Sequence, residues 1–410
     1  MRTCLSLCLA STIAACVAGD DGARSGAPLS VDSPSAVGSG EPFLSSTGDG
    51  VVLSWLEEDP EGGHGLWMAR LDAQGWGPRR VIAEGRPFFV NWADFPSVVT
   101  DPHGALWAHW LEREEGAGLA YGIRVTRSAD GGASWSEPWT PHEDGTPTEH
   151  GFVSLFPFEE GLGLAWLDGR RYAEGPDGTA PTREMTVRFR SAVEGGPTRP
   201  EILVDARVCD CCQTDVAVTS GGPVMVYRDR TENEVRDIYL TRWDGTAWTE
   251  PHAVHDDGWV IGGCPVNGPA VAADGERVAV AWFTAAGDVP KVHVAFSSDA
   301  GDSFGTPVRV DGGNPAGRVD LLLAEDGAAV VSWLERTGGD GAEVRVRRVG
   351  AGATPGAEIA VTGSSAARAS GFPRIARLPW EPTSMLVAWT DVSAEGGPQV
   401  KVARMEVPSR

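Results

Sequence analysis

The chain has 410 residues, with 57 acidic and 34 basic side chains and a formal net charge of −23. That balance excludes a nucleic-acid reader working through bulk electrostatics, because a polyphosphate is repelled before any base is touched. Apolar content of 41% with 16 tryptophans excludes a disordered chain, while 53 glycines and 29 prolines point to many short strands joined by tight turns.

At the N-terminus Arg2 precedes an apolar run from Leu5 to Ile13, followed by Ile13-Ala14-Ala15-Cys16. A charged start, a short apolar stretch and small residues read as an export signal over 1–15, since a bilayer span needs about 20 apolar residues. Its last four residues are similar to the lipobox of bacterial lipoproteins, which implies acylation of Cys16. An ordinary signal cut near Ala18-Gly19 is the alternative. Residues 16–36 are rich in Gly, Ser, Asp and Pro, as suits a tether, and Pro28 to Ser35 is placed to serve as a closing strand. The chain is therefore expected in the bacterial cell envelope, in the periplasm or at the cell surface, touching a membrane only through its lipid anchor.

A strand ending in an aromatic residue, one spacer and then usually an acid recurs seven times. The aromatic residues are Trp55, Trp110, Trp166, Tyr227, Trp282, Trp333 and Trp389, and an acid follows two residues later in every copy except Thr284. The second repeat runs Phe95 to Val99, Ala105 to Leu111, Tyr121 to Arg127, a turn, and a short strand after Pro138. Four strands repeated about every 56 residues predict an all-β propeller, because a lone blade cannot bury both of its faces. One domain over 37–408 with seven blades is expected, closed by the N-terminal segment; six blades plus an appendage is the alternative.

Ser128-Ala129-Asp130-Gly131-Gly132-Ala133-Ser134-Trp135 and Ser297-Ser298-Asp299-Ala300-Gly301-Asp302-Ser303-Phe304 fit the Asp-box pattern, S-x-D-x-G-x-[ST]-[WF]. By these motifs the chain resembles the sialidase-like superfamily of Asp-box (BNR) propellers, which implies an exo-sialidase, another glycan-processing enzyme or a non-catalytic binding protein. The early [FY]-R-I-P element of sialidases is missing: the matching strand reads Gly40-Glu41-Pro42-Phe43-Leu44-Ser45, and Phe372-Pro373-Arg374-Ile375 lies in the wrong repeat. The resemblance thus favours a relative that binds a polar ligand, a glycan, peptide or metal, over a true sialidase. The alternatives are an exo-glycosidase of the sialidase-like class and a structural or protein-interaction propeller.

In such a ring, loops entering first strands and leaving second strands share one rim. That rim gathers Asp94, His150, Arg170, Arg171, Arg230, Asn267, Arg318, Asp320 and Arg368 as ligand-binding candidates, since guanidinium forks match carboxylates. Asp168, Tyr227 and Asp229 are the catalytic candidates of the glycosidase reading. The acid after each tryptophan has a plainer alternative role, tying off a turn or pairing with arginine. After removal of Cys4 and Cys8 and acylation of Cys16, the cysteines left are Cys209, Cys211, Cys212 and Cys264, all at the same rim. Two disulfides are the default for an exported chain; a thiolate site for copper or zinc, with His150 adding a nitrogen, is the sharper reading. A monomer is expected, with no nucleic-acid partner.

Overall fold

The second strand of each repeat is a near-continuous apolar run and the third alternates, and the strands fold into seven antiparallel sheets. The computed structural model describes residues 27–114, 120–175, 178–352 and 354–408; the export signal and Cys16 lie outside them. The strands lining the centre are Ser39–Ser46, Ser97–Thr100, His150–Phe158, Asp215–Thr219, Ala270–Asp274, Pro315–Leu323 and Arg374–Leu378, one from each sheet. Each pairs with the next strand in sequence, and that strand carries the repeat's Trp or Tyr. The architecture is the expected all-β propeller.

The last sheet takes its outer strand from the other end of the chain. Leu29–Val31 pairs antiparallel with Gln399–Glu406, with Leu29 opposite Arg404, and Ser35 Oγ donates to the Val400 carbonyl at 2.9 Å. In the second sheet the expected fourth strand shrinks to a single bridge between Val125 and Trp139. Pro138 and Pro141 flank that bridge and have no amide hydrogen to extend a ladder.

The core is divided among the gaps between sheets. Seven apolar clusters occur, each centred on two neighbouring sheets; the one between the third and fourth also takes in Ala93 and Phe372 at the axis. One joins Leu53 and Trp55 of the first sheet to Leu378 and Leu386 of the seventh. Trp55, Trp110, Trp166, Trp282 and Trp333 are fully or almost fully buried. Each removes about 200 Å² from water, a gross gain of about 5 kcal/mol.

The Asp-boxes are turn devices. Asp130 Oδ1 accepts the amides of Ala133 and Ser134 at 3.0 and 2.9 Å, and Ser134 Oγ donates to its other oxygen at 2.6 Å. Asp299 binds Ser303 in the same way. These donors hold the Asp130 carboxyl well below the usual carboxylate range. Trp135 wedges between the first and second sheets and Phe304 between the fourth and fifth.

Candidate functional site

Side chains at i and i+2 on a strand share a face, and this fixes the acid after each tryptophan. The indole N–H of Trp55, Trp110, Trp166 and Trp333 donates to Glu57, Glu112, Asp168 and Glu335 at 3.0, 2.9, 3.0 and 2.7 Å. Where Thr284 replaces the acid, Asp257 supplies the acceptor to Trp282 at 2.6 Å. Arginines complete the pairing: Arg79 and Arg124 reach Glu57 and Glu112 at 2.6 and 3.0 Å. Four of the six acids are thus indole acceptors in the blade walls, while Asp391 ties off a turn by accepting the Ser393 amide at 2.9 Å.

Asp168 is held in the same way. It is wholly buried, binds Arg170 through two bonds of 2.7 Å and accepts the Trp166 indole. Burial opposes its charge, but the Arg170 hydrogen bonds and the His150 charge prevail and hold it below the carboxylate range. Tyr227 is buried between the third and fourth sheets and donates to Asp205 at 2.7 Å. Burial pushes Asp229 up to about 7, but it too is enclosed. Each of the three catalytic candidates is thus engaged by a partner or enclosed.

Most first-strand candidates are fasteners between blades. Asp94 accepts the Phe152 amide at 2.7 Å, joining the second sheet to the third, and Asp320 accepts the Ile375 amide at 2.7 Å, joining the sixth to the seventh. Asp215, not anticipated from sequence, does the same for Val271 at 2.8 Å. Asn267 accepts the Arg318 amide at 2.7 Å. The Arg318 guanidinium donates to the carbonyls of Ala366, Ala367 and Gly371 and lies over the Trp92 ring at 4.6 Å; burial lowers it to about 10. Between these strands the axis holds a cavity of about 50 Å³, lined by Phe43, Asp94, Asp215, Phe372 and Arg374 among others. That is space for one or two waters, not a sugar.

The remaining arginines are also engaged. Arg170 spans Asp168 and Glu201, Arg171 donates to the Ala206 carbonyl at 2.8 Å, and Arg230 grips Glu234 at 2.7 Å. Arg368 is exposed and has no ion pair among the described residues. His150 turns away from the cysteines. It stacks on His142 with centroids 3.8 Å apart and faces Asp144 at 3.0 Å. Burial works to lower its pKa, yet the Asp144 bond and the Asp168 charge raise it above the ordinary value. His142 Nε2 accepts the Ile123 amide and Arg170 lies 3.3 Å from Asp144, so this group is unsuited to a cation.

The cysteine loops do converge. Cys209, Cys211 and Cys212 place their sulfurs within 4.8 Å of one another, with Cys209 and Cys212 at 3.0 Å, and Cys264 reaches Cys211 from the next sheet. No disulfide joins them. Hydrogen bonds from the Cys211 and Cys212 thiols, helped by the Arg228 charge, hold the Cys209 thiol well below its ordinary value.

Beside this loop opens a cleft of about 460 Å³, lined by Ala120, Pro147, Thr148, Glu149, Gly169, Tyr172, Ala173, Met185 and Asp210. Tyr172 is 40% exposed and donates to Asp210 at 2.6 Å. Burial and the nearby Asp210 charge raise Glu149. None of these residues was singled out from the sequence. Their one signal was position: most sit in loops that enter first strands or leave second strands.

No protein-family model matches this chain, and no curated protein sequence matches it. Solved structures share its fold. The BP39L lectin of Burkholderia pseudomallei is 14% identical with a TM-score of 0.61, over 91% of this chain and 99% of that one. Polysaccharide lyase Uly1 is 8% identical with a TM-score of 0.53, over 90% and 89%. The NanB sialidase of Streptococcus pneumoniae aligns more loosely, at 13% identity and a TM-score of 0.45 over 92% and 70%. Identities this low speak to fold alone.

Proposed function

We propose that this chain is an exported, lipid-anchored propeller that holds a neutral glycan in the Tyr172 cleft without hydrolysing it. The observation that carries this reading is the exposed Tyr172 ring set between two carboxylates in a cleft of about 460 Å³. A ring face takes sugar C–H groups and carboxylates take hydroxyls, and the volume lies in the range of small-ligand sites. The Arg230 guanidinium beside Asp210 is already paired with Asp210 and Glu234, so it is not free to clamp the carboxylate of a sialic acid. A lectin and a polysaccharide lyase among the structures of like fold support a glycan as the ligand class.

Glycan-array screening of the mature chain, followed by calorimetry, tests this. Saturable binding of a neutral oligosaccharide is expected, weakened about tenfold or more in Tyr172→Ala, equivalent to about 1.4 kcal/mol. No binding to any neutral glycan overturns the reading. One observation favours the exo-glycosidase alternative: Glu149 is raised while facing Asp210, as an acid and its partner carboxylate would be. Turnover of a fluorogenic glycoside that is lost in Glu149→Gln would replace binding with hydrolysis.

A further inference from the structure

We infer that Cys209, Cys211 and Cys212 form a three-coordinate thiolate site for copper(I). Three sulfurs bound to one ion at about 2.3 Å stand within about 4 Å of one another. These three already lie within 4.8 Å, brought together by a single C-x-C-C turn at the mouth of the fourth sheet. Cys209 and Cys212 are 1% exposed and Cys211 is half-buried, so an ion would sit largely shielded from water. An all-sulfur donor set selects soft ions. Cys264 touches only Cys211 and is exposed, so the four sulfurs do not close the tetrahedron of a structural zinc.

Charge distinguishes this loop from a disulfide staple. Copper(I) binding three thiols releases three protons and leaves a cluster of charge −2, and two guanidinium groups stand beside it. Arg236 Nη1 lies 3.5 Å from Cys209 Sγ, while its Nη2 donates to Glu234 at 2.7 Å. The Arg228 side chain is 1% exposed and donates to the carbonyls of Arg236, Asn267 and Phe283, while its own carbonyl accepts the Cys209 amide at 3.0 Å. No carboxylate lies within 4.0 Å of its guanidinium among the described residues. A buried cation without a close ion pair is costly, and the Asp237 carboxylate acts on Arg228 only from beyond that distance. An anionic thiolate cluster adds negative charge that neutral disulfides would not.

The inference does not rest on the glycan reading, because neither Glu149 nor Tyr172 is a ligand. Its test uses the mature chain, reduced and handled without oxygen, titrated with copper(I) delivered by bicinchoninate. One copper per chain withdrawn from the chelator is expected. Cys211→Ser, at the half-buried position where refolding is least at risk, should lower affinity about a hundredfold or more, and Arg236→Gln about tenfold with stoichiometry kept. Cys264→Ser should change neither. An unaltered near-ultraviolet circular dichroism spectrum confirms that each variant is folded. Four free thiols with bound copper, in protein isolated from the envelope, would also support the site. Two disulfides in that protein, failure to compete with the chelator, or zinc retained in place of copper and lost in Cys264→Ser would each overturn it.

Discussion

Asp168 shows how much a single carboxylate does in this fold. It accepts an indole N–H, neutralises Arg170 and faces His150, all out of contact with water. Asp168→Ala leaves Arg170 buried beside fewer anions, and a loss of about 3–5 kcal/mol is expected in urea denaturation. Cleft binding per folded molecule should be unchanged, which separates a structural acid from a catalytic one. This role was legible in principle: a Trp and an acid two residues apart on a strand must share a face. Treating the acid as the end of a strand, with only a turn or an arginine for company, hid the indole as its partner.

The fasteners at the axis predict the pH profile of stability. Burial pushes Asp94 up to about 7 and Asp215 to about 6, from an ordinary value of 3.8. From about pH 4 to 7 the folded chain therefore holds protons that the unfolded chain has released, so stability falls as pH rises through that window. Asp168 and Glu112 are lowered and act in the opposite sense, losing their contribution as pH falls below the carboxylate range. The midpoint of thermal unfolding should peak near about pH 4–5 and decline toward pH 8. Asp94→Asn should flatten that decline in calorimetric scans taken across the range.

Among the elements, a strand of three residues has the most exposed duty. Leu29–Val31 covers the edge of Gln399–Glu406, which would otherwise offer unpaired amides and carbonyls along eight residues. Removing residues 27–35 should lower the melting temperature and increase association on heating, measured by calorimetry and by size-exclusion chromatography after incubation. Its approximate place was readable because the seventh repeat supplies only three strands. The second sheet's outer strand was misjudged for a local reason: its two prolines withhold the hydrogens that a ladder needs.

Over the whole molecule, the spacing of the tryptophans carried most of the architecture, because one repeated unit stacked on its neighbour is a geometric rule. It also brought the cysteines of two repeats to one place. It could not reveal the Tyr172 cleft, which depends on which loop side chains remain outside after packing. Nor could it say that Arg228 would be enclosed among backbone carbonyls, since that follows from contacts among three segments distant in sequence. The division of apolar contacts has one more consequence. No blade owns a complete interior, as every cluster is centred on two neighbours. Heat cannot peel blades off one by one into stable fragments: the loss of any wall strips both adjoining ones, and the domain gives way in a single concerted step.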